Sequence, residues 1–577
     1  MKYHSIKSTK HSKFDKNHYI IKYPLLMKGI YLFGILAWLT TFFAYFSFFN
    51  LDLFYWALFF PPILILTIYN IISYSINLFY KKPDLTKHQE LVREFVNSKD
   101  KPSVDVQLPV CGEPIDILRR TWQAVARINY PNYKVYVLDD KGSPEVEAMA
   151  KEFNFNYFSR PNKGEMKKAG NLKYAFDRTS GDYMIIFDAD FAPLPEFINE
   201  SVPYLIKDPK IGILQTPQYF EVHHKVSDKC WLEYGAGAIQ EDFYRLIQVS
   251  RDGLGGAICV GTCAVYRREA LNLIGGTHQI EHSEDVWTGI RVNGVGYTVR
   301  YNPYILAEGF CPDDSEAFFK QQYRWCKGSM SLMTDPNFWK LDIPLSAKMC
   351  FISGFLYYIT SFFNYIFAFI GILIIAFNSD KLSWEYAFPF MPYIFFTYVL
   401  LPLLRIHKFS VGNIVARFLA QSAYCLALYH TIFDWNMGWS PTGVKTKRDI
   451  WITFSYFFNF AYFALYILAV LYVLVTGKIS LINVNHYVVI IWIFVNIFSY
   501  LVFLITMGHD MYIKHQFAKL DYNPSHEHTK LFYKVLPAFL LILIAVTFVG
   551  LSNNLTTTDN KAQASGKNII IDATLEE

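Results

Sequence analysis

For a chain of 577 residues, this one carries little cysteine. Its eight thiols include Cys259 and Cys263, whose separation is not that of a zinc finger, and nearly all eight fall in stretches read below as cytoplasmic or membrane-embedded. That excludes a disulfide-stapled secreted domain and points to free thiols in a reducing compartment. Excess charge is also scarce. Lys and Arg number 54 against 49 Asp and Glu, which leaves +5, and the positive residues sit largely in loops beside apolar runs, where anionic lipid accounts for them. No nucleic-acid partner is expected. Internal repeats and low-complexity tracts are missing, apart from a polar tail after Leu551 that reads as flexible. The polar N-terminus has neither the early apolar core nor the cleavage site of a signal peptide, so the first apolar run is read as a retained anchor.

What is abundant is apolar and aromatic surface. Hydrophobic residues make up 53% of the chain and aromatics 18%, with a mean hydropathy of +0.17. That is too greasy for a soluble protein and too charged for a bare membrane bundle. Crossing roughly 30 Å of hydrocarbon takes about 20 helical residues. Apolar runs of that order lie near 27–48, 53–79, 348–377, 386–404, 450–475, 481–507 and 531–551, which predicts about seven spans. Lys2, Lys7, Lys10, Lys13, Lys16 and Lys22 precede or open the first run, and the positive-inside rule places them in the cytoplasm. Counting crossings from there, the basic loops 405–449 and 508–530 also fall inside. The expected order is a basic N-terminus (1–26), two spans (27–80), a cytoplasmic domain (81–345), a membrane domain (346–551) and an extracellular tail (552–577), in a multi-pass plasma-membrane protein. Residues 411–437 are apolar enough for another span, but Arg417 and Asp434 would each cost about 2.5–3.5 kcal/mol at a bilayer centre, so an interfacial helix is expected.

From Val104 the cytoplasmic stretch alternates short apolar runs ("VDVQLPV", "KVYVLDD", "NFNYFSR", "YMIIFDAD", "IGILQT") with helical patterns. This predicts an α/β domain built on a mostly parallel sheet with helices on both faces. Ligands of such sheets bind at the carboxyl ends of the strands. Acidic residues fall there: Asp139 and Asp140 close one strand, and Asp188-Ala189-Asp190 closes another. Carboxylates at i and i+2 of an extended segment point to one side and suit a divalent cation that also carries substrate phosphates. Alone, an acidic turn is an equally good account, and Asp139-Asp140-Lys141-Gly142 also reads as a solvated turn. "GEMKKAGNLKYA" puts Lys167 and Lys168 at a helix start, where phosphate is well received, although a solvated basic face is the commoner meaning. Glu284-Asp285 opens an amphipathic segment and would by itself be a plain helix N-terminal pair. After a metal-type pair and before "KQQYRWCKG", it becomes a candidate proton acceptor. His282 has no partner at metal spacing and receives no role.

The ordered set Asp139-Asp140, Asp188-Ala189-Asp190, Glu284-Asp285 and Gln321-Gln322-Tyr323-Arg324-Trp325 resembles the D, DxD, TED and QxxRW signature of processive family 2 glycosyltransferases. Those are the membrane synthases of cellulose, related β-glucans, chitin and hyaluronan. "LPVCGEP", "KAGNLK", "LQTPQYF" and "GTCAVYRREAL" are similar to cellulose-synthase stretches in the same order, so the resemblance covers most of residues 27–551. It implies a GT-A fold inserted in a polytopic α-helical membrane domain, a UDP-sugar donor, Mg²⁺ or Mn²⁺, and inversion at the anomeric carbon. By the same resemblance Glu113 and Asp139 contact uridine with Lys168 nearby, and Asp188 and Asp190 hold the diphosphate and metal. Asp285 is the general base, while Asp140, Thr262 and Glu284 lie beside the substrates. A sugar's C–H face stacks on an aromatic ring, so Trp325 is a platform for the acceptor chain. Arg324 suits the diphosphate, and Gln321 suits sugar hydroxyls or a pyrophosphate oxygen.

Departures from the pattern are informative. "GWSPTGVKTK" (438–447) partly matches a donor-gating loop, with Trp439, Thr442 and Lys445 as candidates at altered spacing. Gln322 stands where cellulose and chitin synthases commonly carry arginine, and a double glutamine occurs among hyaluronan synthases. Ser283 replaces the threonine of TED. No cyclic-nucleotide-binding domain is expected after the last helices. The expected activity is polymerisation of a UDP-sugar, UDP-glucose foremost, into a β-linked polysaccharide passed through the protein's own helices, with the bilayer and the growing chain as partners. A lipid glycosyltransferase, a hyaluronan- or chitin-type synthase, and a polysaccharide-binding or transport subunit remain as alternatives.

Overall fold

A computed structural model describes residues 15–49, 53–221, 231–312, 315–377, 388–406, 411–437 and 450–477, with pieces of 479–505. Its ten strands are β1 (Val104–Val110), β2 (Tyr133–Asp139), β3 (Asn156–Phe158), β4 (Tyr183–Ile186), β5 (Ala192–Pro193), β6 (Ile211–Gln215), β7 (Tyr219–Glu221), β8 (Ala264–Arg267), β9 (Thr298–Tyr301) and β10 (Ala307–Phe310). Seven form one sheet in the order β3-β2-β1-β4-β8-β6-β9, and β5-β10-β7 form a second. The large sheet is parallel except at β8, which runs antiparallel to both β4 and β6.

Alternation along the central strands explains the two helical layers. Ile185 and Phe187 join one core with Trp122 and Leu205, whereas Met184 and Ile186 join another with Leu172 and Leu271. Helices Ile115–Val125 and Phe197–Lys207 therefore cover one face, and Lys167–Phe176 and Arg268–Ile274 the other. Every residue of β4 is buried. A buried ion pair fastens one edge of this arrangement: Arg268 Nη2 donates to Asp105 Oδ2 at 3.0 Å, and the Gly181 N–H donates to the same oxygen at 2.6 Å.

Among the described residues, three helices are long and apolar enough to cross a membrane: Pro24–Tyr45, Phe59–Asn77 and Ile450–Val475. Helix Leu345–Phe377 covers the third predicted run. The run near 386–404 is interrupted instead, passing through Phe388–Phe390, Met391–Phe395, Phe396–Leu400 and Leu401–Leu403 with 3₁₀ and π turns. Pro389, Pro392 and Pro402 deprive it of backbone donors, which accounts for the breaks. Most of 481–507 and all of 531–551 lie outside the described residues, as does the basic N-terminus up to residue 14. The expected seven-span count is not confirmed.

The segment expected at the interface is a helix, Val411–Ile432. Its inner face is covered by protein: Ala416, Leu419, Ala420, Ala423 and Ala427 are buried. Small side chains let neighbours approach closely. The Gly412 carbonyl oxygen lies 2.1 Å from where a β-carbon on Gly235 would sit.

Candidate active site

The carboxyl ends of β2 and β4, the loop before β8 and the start of helix Glu284–Gly294 meet over the sheet. Lys168 ties them together. Its Nζ donates to Asp188 Oδ1 at 2.5 Å and to the Gly261 carbonyl at 3.2 Å, and lies 3.8 Å from Glu284 Oε1. Burial alone would lower the Lys168 pKa, but Asp188 and Glu284 hold it above the ordinary lysine value. Thr262 meets the same group, because the Asp188 N–H donates to its Oγ1 at 2.9 Å.

The carboxylates feel one another. Burial and then Asp188 push the Asp190 carboxyl up to about 7, and burial and then Glu284 push Asp285 up to about 7. Glu284 is raised as well, by burial first, and Glu113 is raised by burial with Asp188 adding to it. Burial lowers the Arg324 pKa, opposed by Asp188, Glu284 and Asp190, so this guanidinium lies within electrostatic reach of the acidic group. Asp188, Asp190, Glu284, Asp285, Lys168 and Arg324 thus share one electrostatic site. Gln321, Arg324 and Trp325, at i, i+3 and i+4, share one face of helix Ser315–Thr334 and are half-buried.

Asp139 and Asp140 face inward and shape the site's floor. Asp139 accepts from the N–H groups of Lys141 (2.9 Å) and Ser143 (2.6 Å) and from the Tyr157 hydroxyl (2.9 Å). Asp140 is held chiefly by Arg160, whose Nε and Nη2 donate to its two oxygens at 2.6 and 3.0 Å, with the Gly164 N–H adding a longer contact to both at 3.2 Å. Glu113 accepts from the Cys111 N–H at 2.6 Å, which orients it at the turn after β1.

Backbone strain clusters here. Lys167, Cys263 and Ser283 hold φ of 48°, 55° and 59°, and each directly adjoins a site residue: Lys168, Thr262 and Glu284. Such conformations cost of order 1–3 kcal/mol each and persist only where surroundings enforce them. Buried glutamines supply that enforcement for the loop before β8. Gln215 Nε2 donates to the Thr262 carbonyl and its Oε1 accepts from the Val260 N–H, both at 2.8 Å, while Gln248 brackets Ile258 in the same way. Gly261, at φ +81°, lies flat against Asp285, where a β-carbon would sit 2.8 Å from Oδ2.

A metal site made of three or more His, Cys, Asp or Glu side chains is absent among the described residues. Asp188 and Asp190 offer hard oxygen donors instead, and their mutual disfavour, visible in the raised Asp190, is what a divalent cation relieves. The pair fits an ion that completes its shell with a diphosphate.

Residues 105–275 match the family model described as Glycosyl transferase family 2. This stretch is a glycosyltransferase family 2 domain. Over 267 residues the chain is 31% identical to cellulose synthase 1 of Komagataeibacter xylinus, covering 45% of this chain and 17% of that protein. It is 31% identical over 271 residues to the UDP-forming cellulose synthase catalytic subunit of Komagataeibacter sucrofermentans, and 30% over 270 residues to that of Xanthomonas axonopodis. The matches span 35% and 36% of those two subunits, about a third of their length. A mannosyltransferase from Pyrobaculum calidifontis, solved with GDP-Man and Mn²⁺, aligns with a TM-score of 0.43 and 14% identity over 64% of this chain and 99% of its own.

The family 2 domain as matched ends at residue 275, before Asp285, Arg324 and Trp325. Asp285 reaches it by lying against Gly261, and Glu284 by its approach to Lys168. The helix of Arg324 and Trp325 is joined to that loop in turn, since Trp287 Nε1 donates to Ser331 Oγ at 3.2 Å and Gly328 backs onto Ser283. Gln322 and Tyr323 point away from the domain. The Tyr424 hydroxyl donates to Gln322 Oε1 at 2.6 Å, and the Tyr323 hydroxyl lies 2.7 Å from His430 Nδ1. Trp439, Thr442 and Lys445 lie outside the described residues. Arg160, Gln215 and Gln248 escaped the sequence reading because nothing in their spacing marks them. "LQTPQYF" contained Gln215 as a likeness without a role.

Proposed function

We propose that this protein is a membrane-embedded, inverting glycosyltransferase that polymerises a UDP-sugar, UDP-glucose foremost, into a β-linked glucan and passes the chain across the plasma membrane. The observation that carries this reading is Lys168 joining Asp188 to Glu284 beside Arg324, with Asp285 in the same acidic group. Likeness to cellulose synthases supports glucose and a polymeric acceptor, and the apolar helices support a membrane location. The lysines ahead of the first span are what favours a cytoplasmic site.

In this reading Asp188 and Asp190 would hold Mg²⁺ or Mn²⁺, and the ion would supply positive charge for the leaving diphosphate. Arg324 and Lys168 take further phosphate charge, and Glu113 and Asp139 line the uridine pocket with Asp140 beneath. Gln321 meets sugar or pyrophosphate oxygens, and Thr262 fixes the Asp188 backbone. Asp285 accepts the proton of the acceptor hydroxyl as that oxygen bonds to the anomeric carbon and the bond to UDP breaks. A carboxylate whose pKa lies near 7 is a stronger base than an ordinary one and is about half ionised at neutrality. Trp325 supports the terminal saccharide.

The deciding experiment supplies purified protein with UDP-glucose, UDP-N-acetylglucosamine and UDP-glucuronate in turn, measures UDP release and applies linkage analysis to the product. High-mass, glycosidase-sensitive glucan is expected. Product confined to the lipid extract would replace this reading with single addition to a lipid, and silence with every donor would favour a binding or transport subunit.

A further inference from the structure

His282 lies three residues before Asp285, on the loop that carries Ser283 and Glu284. The loop is fixed from behind by Gly328 on the helix that bears Arg324 and Trp325. The groups facing the ring are Glu281 from its own loop, Arg324 and Lys327 from that helix, and Asn436 beyond helix Val411–Ile432. Asn436 Nδ2 lies 3.3 Å from His282 Nε2 and donates to it. This leaves the proton on Nδ1. Nδ1 is buried and has no hydrogen-bond partner among the described residues. Burial, then Arg324, hold the imidazole below its ordinary pKa and therefore neutral.

An unpaired buried donor is costly, and a site tolerates one where a ligand oxygen completes it. We propose that His282 binds the acceptor: Nδ1–H donates to an oxygen of the terminal saccharide whose hydroxyl Asp285 deprotonates. The ring sits on the loop of the base, within electrostatic reach of Arg324 on the helix that also carries Trp325, so the proposal sets the terminal saccharide beside it. The proposal rests on the transferase reading above.

Two substitutions separate ligand binding from scaffolding, because the asparagine amide reaches the place of Nδ1 and the glutamine amide that of Nε2. Full-length protein in detergent, with Mn²⁺ and UDP-glucose, is assayed for total UDP release, sugar incorporated into polymer, and UDP affinity. In His282→Gln, incorporation is expected to fall about tenfold, the worth of one good hydrogen bond, with UDP affinity unchanged and a larger share of donor lost to water. His282→Asn should keep incorporation within about threefold of wild type. The proposal is overturned if the glutamine variant works and the asparagine variant does not, since the ring then serves only to hold Asn436. It is equally overturned if neither variant changes the ratio of incorporation to UDP release. Wild-type protein that releases no UDP from any donor would sink the transferase reading itself, and the acceptor role with it.

Discussion

Gly328 lies so close to Ser283 that a β-carbon on the glycine would stand 1.7 Å from the serine Oγ. That contact holds the loop of Asp285 against the helix of Arg324 and Trp325. Exchanging glycine for alanine inside a helix ordinarily stabilises it by roughly 0.5–1 kcal/mol. Here Gly328→Ala should do the opposite to catalysis, lowering kcat by at least about tenfold as the loop is displaced by an ångström or so. Steady-state kinetics beside a melting curve check it: an unchanged kcat would mean that the loop position does not matter.

Lys168→Met leaves Asp188, Asp190, Glu284 and Asp285 without their shared lysine. Melting temperature should fall without added metal and recover in part with Mn²⁺, because a divalent ion takes over the neutralising role. Thermal scans with and without Mn²⁺ test this, and a metal-insensitive loss would speak against a cation at Asp188 and Asp190.

Asp285→Asn removes the proposed proton acceptor with little change of shape. Transfer should drop on the order of 10²–10⁴-fold while UDP binding persists. In the wild type, transfer should rise with pH through about 7, because Asp285 must be ionised to accept a proton and burial with Glu284 holds it protonated below that range. The stability sign is opposite. A carboxyl raised in the fold binds protons more tightly there than in the unfolded chain, so its contribution declines as pH climbs from the unfolded carboxylate range near about 4 to about 7. Rate and chemical denaturation measured over the same pH series should move in opposite directions.

Arg160→Leu strips Asp140 of its buried guanidinium partner and the two short hydrogen bonds that it supplies. Removing one member of such a pair typically costs about 3–5 kcal/mol. Denaturant unfolding followed by fluorescence should show a loss of that order. A change under about 1 kcal/mol would mean that water reaches Asp140.

The sequence made the strand ends legible because a parallel strand announces itself as a short β-branched run, and Asp139, Asp188 and Asp190 stand where those runs stop. Asp285 and Trp325 were visible through motif order. The partner of Asp140 was not, since Arg160 lies 20 positions away in a loop with no period. Strand β8 also reads like its neighbours, and nothing local tells that it enters the sheet antiparallel. Helix Val411–Ile432 shows apolar residues, Arg417 within it and Asp434 just beyond, and only tertiary contact reveals that its alanine face is roofed by the helix of Arg324.

That roof has a practical meaning. Gln322, Tyr323 and Cys326 all make their contacts with residues 424–430, which arrive in the chain only after helix Leu345–Phe377. A fragment trimmed to residues 81–345 would expose this seam and lose the hydroxyl of Tyr424 and the imidazole of His430 stitched across it. The candidate site and the apolar helices are therefore welded at the level of folding, and excising one from the other leaves both unfinished.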